Sequence, residues 1–186
     1  MEHFHEKAKN LDRLEETVWV IQAQAGDFAA FARLIKRYER PLFYYLRRLA
    51  PKGDGALDVF QEVWIEAFRG LPSLHVPEAF RVWLYRIAHN KAARFVRDDI
   101  RRKEIDNLSQ PEQTTGPDET ELNAEAIHHG LASLPASQRE ILTLHYLHEL
   151  SIADLGRILN CPPGTVKSRL YHARLALRQI IERKNL

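Results

Sequence analysis

Apolar side chains in this sequence recur at steps of three and four, a spacing that fits helices and little else. Phe28, Phe31, Leu34, Ile35, Tyr38, Leu42, Leu46 and Leu49 form one such series. They follow Asp27, whose carboxylate can cap the first turn. A second series, Phe60, Val63, Trp64, Ala67, Phe68 and Leu71, comes after the Gly53-Asp54-Gly55 turn. A third, Phe80, Trp83, Leu84, Ile87 and Ala88, follows Pro77 and leads into a basic run. No stretch alternates apolar and polar residues with a period of two, so no strand is expected. The fold class is all-α, and this N-terminal part reads as a helix bundle.

One segment interrupts the pattern. Residues 104 to 121 carry six acids (Glu104, Asp106, Glu112, Asp118, Glu119 and Glu121) and no Lys or Arg. The whole chain has a net charge of +2, so the remainder carries +8. Asn107 to Asp118 contains two prolines, one glycine and only Leu108 as an aliphatic residue. Such a stretch buries too little apolar surface to order itself, and it is read as a flexible acidic linker between two small helical domains. A long surface loop within one domain is the alternative. Two basic bodies flanking an acidic connector form an electrostatic footprint suited to nucleic acid.

Beyond the linker, Leu131, Leu134, Ile141, Leu142, Leu144 and Leu147 again fit helices, punctuated by Pro135. Ser151-Ile-Ala-Asp154 is a helix start of the capping-box type. The helix it opens sets Ile152, Leu155, Ile158 and Leu159 on one side and stops at Asn160-Cys161-Pro162. A second helix begins near Pro163, a residue favoured in a first turn, and runs to about Arg178. Helix, tight turn and second helix make a helix-turn-helix. On a wheel, Val166, Leu170, Ala173 and Leu177 point inward. Ser168, Tyr171 and His172 point outward, with Lys167 and Arg178 at the edge. Hydrogen-bonding side chains on one short helical face are what reading base edges in a major groove requires. Lys167 and Arg174 suit phosphate contacts. Arg169 lies nearer the inward side, where a structural salt bridge or backbone contact is expected. An amphipathic helix with a solvated basic face is the bland alternative.

Other function classes find less support. His145-Tyr-Leu-His148-Glu149 follows neither H-E-x-x-H nor H-x-x-E-H, so the metalloprotease spacings are missing. The phosphate loop G-x-x-x-x-G-K-[ST] and the G-x-S-x-G elbow are missing too. The chain is not expected to be an enzyme or to carry a metal or other cofactor. Cys161 is the one cysteine, so no internal disulfide forms. No run approaches the roughly 20 apolar residues of a membrane helix. The first ten residues lack the hydrophobic centre of a secretory signal. A cytoplasmic protein without membrane insertion is expected.

Three C-terminal blocks, Leu131-Ala-Ser-Leu-Pro-Ala-Ser-Gln-Arg-Glu140, Ser151-Ile-Ala-Asp-Leu155 and Pro163-Gly-Thr-Val-Lys-Ser-Arg-Leu170 with Ala173-Arg174, resemble the promoter-reading domain of bacterial RNA polymerase sigma factors. Three N-terminal blocks agree in order and spacing: Gly26-Asp-Phe-Ala-Ala-Phe31 through Tyr38, Ala56-Leu-Asp-Val-Phe-Gln-Glu-Val-Trp64, and Phe80-Arg-Val-Trp-Leu-Tyr-Arg-Ile-Ala-His-Asn90. The resemblance covers about residues 17 to 181 and is strongest to the two-domain extracytoplasmic-function group.

That resemblance implies an extension over 1–16, a core-polymerase and minus-10 domain over 17–103, a linker over 104–122 and a minus-35 domain over 123–186. It implies core RNA polymerase, through its β′ clamp helices and β subunit, and promoter DNA as partners, with an anti-sigma factor as a further one. Asp58, Gln61 and Glu62 match the positions that dock on polymerase, although a solvated acidic helix face is their bland reading. Arg86, Asn90, Arg94, Arg97, Arg101 and Arg102 match the minus-10 segment. Basic side chains there track the strand backbone, and Asn90 is expected in the loop that accepts an extruded base. Lys91 and Tyr85 lie in the same run, while Trp83 and Phe95 are expected to be core. Many relatives have Asp or Asn at the position of Arg94, so the preferred minus-10 sequence should differ from theirs. His145, Thr165, Lys167, Ser168, Tyr171, His172 and Arg174 match the minus-35 readers. A stand-alone helix-turn-helix regulator is the alternative, and it would not need the polymerase-docking and DNA-melting segments.

Overall fold

Gly26 and Asp27 set the first boundary. Helix α1 (Glu2–Gln24) ends with Gly26 at φ 96°. There the amide of Gly26 bonds to the Ala23 carbonyl and that of Asp27 to the Gln22 carbonyl. Glycine is the residue that takes this left-handed closing position without strain. The Asp27 carboxylate then accepts from the amides of Ala29 at 2.8 Å and Ala30 at 3.2 Å, which starts α2 (Phe28–Leu49). The computed structural model describes the backbone of residues 2–49, 55–106 and 129–184, and the side chains of 11–49, 55–101 and 129–183. The linker's polar stretch, Asn107 to Asp118, lies outside the described residues.

Helix α3 (Gly55–Gly70) and helix α4 (Phe80–Asp106) complete the N-terminal unit, with two 3-10 turns between them. Leu34, Leu42 and Leu46 from α2, Val59, Val63 and Ala67 from α3, and Phe80, Leu84 and Ala88 from α4 meet in one core. Burying each large aliphatic side chain contributes about 1.5–3 kcal/mol. α1 packs along α2 through Val20 and through Glu16. The Glu16 carboxylate accepts from Tyr38 Oη at 2.6 Å and pairs with Arg37 Nε at 3.3 Å.

In the C-terminal unit, α5 (Ala136–Leu142) widens into a π turn at Thr143–Leu147. The amide of His148 there bonds to the Thr143 carbonyl, five residues back. α6 (Ile152–Ile158) and α7 (Pro163–Lys184) follow. Leu131, Leu134, Ile141, Leu144, Leu155, Ile158, Val166, Leu170 and Ala173 fill the space between them. Among the described residues no helix is long and apolar enough to cross a membrane.

The two units pack on each other, α5 against α2 and α6 against α4. Polar groups line this seam. Glu140 is 9% exposed, and its Oε1 accepts from Tyr45 Oη at 2.6 Å and from His89 Nδ1 at 2.7 Å. His148 is 5% exposed. Its Nδ1 meets Tyr85 Oη at 3.0 Å, its carbonyl accepts from Arg81, and its ring lies against those of Tyr45 and Tyr85.

The two seam histidines titrate in opposite directions. The bond to Glu140 raises the pKa of His89 above 6.5. Its contribution to the seam is therefore fully present below 6.5 and is lost as pH climbs through the raised value. Burial, with help from Arg81, lowers His148 to about 4 and keeps it neutral. Its contribution is present above 6.5 and is lost as pH falls toward 4. Contact between the units should thus be tightest near pH 6.5 and weaken on either side. Small-angle scattering across pH 4–9 would register this as a minimum in radius of gyration, whereas a monotonic trend would contradict it.

Candidate nucleic-acid interface

Local chemistry builds the helix-turn-helix as the sequence indicates. Ser151 caps α6: its Oγ accepts from the Asp154 amide at 3.1 Å and donates to the Asp154 carboxylate at 2.6 Å. The turn closes tightly over Gly156, whose carbonyl accepts from the Cys161 amide at 3.0 Å. A Cβ on Gly156 would stand 2.9 Å from the Cys161 carbonyl oxygen, so any side chain there would push the turn away from α6. Asn160 takes the left-handed conformation at φ 48°, one that asparagine tolerates better than most residues.

The turn delivers α7 with its faces in the expected phase. Val166, Leu170 and Ala173 are buried, and Leu177 is half-buried. Lys167, Ser168, Tyr171, His172 and Arg174 are exposed, while Thr165 is half-buried. Tyr171 is 59% exposed and its ring meets that of His172 edge-on at 5.4 Å. α7 extends past Arg178 to Lys184. Arg174 reaches back to Tyr146 Oη at 3.4 Å, tying α7 to the π turn. In that turn His145 Nδ1 donates to the Leu150 carbonyl at 2.9 Å, which holds the ring in place. His145 and His148 therefore serve different partners. Arg169 corrects the sequence reading: it is exposed, and its guanidinium contacts Cys161 Sγ at 3.9 Å rather than a buried salt-bridge or backbone partner.

On α4 the exposed basic positions are Arg86, Arg94, Arg97 and Arg101, joined by exposed Asn90. Arg94 approaches Asp98 at 3.8 Å. The side chain of Arg102 lies outside the described residues. Asn90 is a second correction, because it sits within the unbroken helix Phe80–Asp106 and not in a loop. Lys91 is paired with Glu66 at 2.9 Å and Glu62 at 3.3 Å, so it ties α4 to α3 and does not stand free for DNA. Tyr85 is buried at the seam. Trp83 and Phe95 pack against the core as expected, close over Gly70 and Gly55.

Asp58, Gln61 and Glu62 are exposed on α3. The sequence reading missed their apolar neighbours. Leu57, Ile65 and Phe68 are also exposed, and Phe28, 74% exposed, stacks on Phe68 at 6.0 Å. Phe28 and Phe68 belong to the helical apolar series, yet both are exposed. Exposed apolar side chains beside carboxylates are the composition expected of a protein-docking face. A second apolar groove of about 620 Å³ lies between α5 and α7, lined by Leu131, Leu142, Leu147, Leu177 and Ile181.

Replacing Ser151 by Ala should cost about 1 kcal/mol in urea unfolding through loss of the cap. Gly156→Ala should cost more, and it should also weaken DNA binding by tilting α7. Equal stability of both variants to the wild type would remove the cap and the tight turn as determinants.

Comparison with known proteins agrees with this geometry. Residues 34–102 match the family model for Sigma-70 region 2, and residues 124–177 match that for Sigma-70, region 4. The ECF RNA polymerase sigma-E factor of Escherichia coli K12 is 33% identical over 180 residues, covering 89% of this chain and 94% of its own. The RNA polymerase sigma-H factor of Pseudomonas aeruginosa is 32% identical over 183 residues, covering 88% and 92%. Among solved structures, the sigma factor RpoE in complex with the anti-sigma factor NepR from Bartonella quintana aligns at TM-score 0.72 and 25% identity, covering 82% of this chain and 96% of that one. CnrH in complex with the cytosolic domain of CnrY shares the fold at TM-score 0.67 and 21% identity, covering 90% and 97%. The chain belongs to the ECF group of RNA polymerase sigma factors.

Proposed function

We propose that the chain binds core RNA polymerase through α3 and directs it to promoters that α4 and α7 recognise. As an ECF sigma factor it serves promoter-specific transcription initiation. The finer assignment of residues rests on one observation above all. The face of α7 that bears Lys167, Ser168, Tyr171 and His172 is solvent-exposed, while Val166, Leu170 and Ala173 anchor the opposite side.

In this reading Lys167, Ser168, Tyr171 and His172 read the minus-35 element in the major groove, with Thr165, Arg174 and His145 holding its flanks. Arg86, Asn90, Arg94, Arg97, Arg101 and Arg102 engage the minus-10 element. With Lys91 engaged by two glutamates, strand tracking falls to the arginines. Asp58, Gln61 and Glu62, with Ile65, Phe68 and Phe28 beside them, dock on the β′ clamp helices. Carboxylates suit an arginine-rich partner there, and the aromatic pair supplies the apolar anchor. The groove between α5 and α7 is assigned to the β subunit. The chain makes and breaks no bonds of its own and acts in the cytoplasm, where polymerase does. An anti-sigma partner is assigned by analogy with the two solved complexes.

Transcription from a promoter library by core polymerase, with and without the chain, tests the assignment. Promoter-specific start sites should appear only with it, and none despite folded protein would refute it. Lys167→Ala and His172→Ala should each weaken minus-35 discrimination by about 1–3 kcal/mol while polymerase affinity is unchanged. Glu62→Ala and Phe68→Ala should do the reverse. Equal loss of both activities in all four variants would refute the division of labour.

A further inference from the structure

We propose that the outward strip of α1 is a self-association surface, covered by a second copy of this chain in an antiparallel pair of helices. Such pairing is independent of the sigma reading above, since it uses none of the DNA-reading or polymerase-docking residues.

α1 is seated on the bundle by one side only. Glu16 and Val20 are buried, Glu16 is bonded to Tyr38 and Arg37, and Asp12 approaches Arg37 at 3.7 Å. The Arg37 guanidinium also lies over the Trp19 ring, 5.8 Å from its centre. These contacts fix the rotation of the helix about its own axis. Leu11, Leu14, Val18 and Ile21 then fall on the far side, where they are 67, 65, 48 and 52% exposed. Steps of three, four and three make them neighbours in one continuous apolar strip. Nothing among the described residues covers it. The linker is no candidate, because Asn107 to Asp118 offers only Leu108 as an aliphatic side chain.

Spacing and edges identify the occupant. Leu11 and Val18 stand seven residues apart, as do Leu14 and Ile21, which is the seam of a two-helix pair. A helix that faces a globular core carries a wider stripe; this one has the width of a single partner helix. Exposed Glu15 and Gln22 line one edge and half-buried Thr17 the other. One charge among the three gives little grip on a partner of opposite sign, in contrast to α3 with its exposed Asp58 and Glu62. The strip suits itself. Laid antiparallel, Leu11 of one copy meets Ile21 of the other and Leu14 meets Val18, while Glu15 lies beside Gln22, so no like charges are opposed. That direction also sets the two helix dipoles against each other favourably. It keeps apart the C-terminal ends of α1, where Gln24 is tied to the Leu71 and Leu74 carbonyls.

Size sets the strength. α1 has 23 residues and is about 35 Å long at 1.5 Å per residue. One helix pair of that length is at the lower end of the interfaces that hold specific complexes, so association should be reversible and micromolar. The main packing partners of α1 are α2 and the two 3-10 turns, which sets the strip apart from the exposed faces of α3 and α7.

Sedimentation equilibrium of the full chain tests this between about 1 and 200 µM, a range that brackets the affinity of so small an interface. The mass should rise from 21.6 kDa toward twice that value. Leu14→Lys and Val18→Lys should each weaken association about tenfold or more at unchanged helix content by circular dichroism. Leu175→Lys, at a residue 45% exposed on α7, should leave the dimer as it is. Leu14→Gln adds no charge and repeats the test if a lysine unsettles α1. A chain of 21.6 kDa at every concentration would overturn the proposal. So would a dimer that survives both strip variants, or one that Leu175→Lys dissolves equally well. A monomer whose strip variants lose affinity for core polymerase would assign the strip to polymerase and overturn it too.

Discussion

A carboxylate almost wholly removed from water must be answered by donors, and in this protein Glu140 is answered from the other unit. Its oxygen binds Tyr45 and His89, which stand 95 and 51 residues away in sequence. Tyr45 is also fully buried against Tyr85, and Tyr85 holds His148. One acidic group thereby joins the cores of the two units through a run of aromatic rings. Burying such a pair yields little net stability compared with apolar packing, but breaking it is expensive, so it selects an arrangement more than it strengthens one.

Much of this architecture is legible in the sequence. The three- and four-residue spacing gives the helices, and Ser151-x-x-Asp154 with Asn160-Cys161-Pro162 gives the helix-turn-helix. The phase of α7 follows from Val166, Leu170 and Ala173, since a helix of fixed period leaves little choice for the residues between them. Periodicity fails at Phe28 and Phe68. It registers that a residue is apolar and lies on one stripe, but a stripe wide enough to wrap past the core looks the same as one that ends there. Asn90 shows a different failure, because similarity to a family carries over the type of residue and not the local backbone. Arg169 was misplaced by one helical edge, where a long side chain reaches solvent from either side. The seam was not legible at all. Glu140, His89 and His148 carry no mark of burial in their immediate neighbours, and their partners come from distant helices.

The two helices proposed to face DNA would meet it differently. α7 presents a short polar face on a helix pinned by three small or aliphatic residues, an arrangement suited to rigid contact with a duplex. α4 offers arginines spread from Arg86 to Arg101, which suits a backbone whose bases have come apart. Lys91 sits amid these cations yet is claimed by Glu62 and Glu66. Glu62 is also part of the proposed polymerase-docking face. A polymerase side chain that drew Glu62 away would loosen one tie on Lys91, linking the occupancy of α3 to the charge that α4 shows to DNA.

The π turn at Thr143–Leu147 has a consequence for how this chain can tolerate change in length. A π turn holds one more residue than the α-helical turn it replaces. Deleting one residue between Thr143 and Leu147 would let the segment relax to ordinary α geometry without breaking the helix. Because the π turn spreads its extra residue over nearly the same rotation as an α turn, side chains on either side of the deletion would keep nearly the same relative phase. Glu140 and His148 would therefore keep nearly the same relation to Tyr45 and Tyr85. A single codon lost at this point would thus be absorbed, whereas one lost within the regular turns of α7 would rotate every side chain beyond it by about 100°.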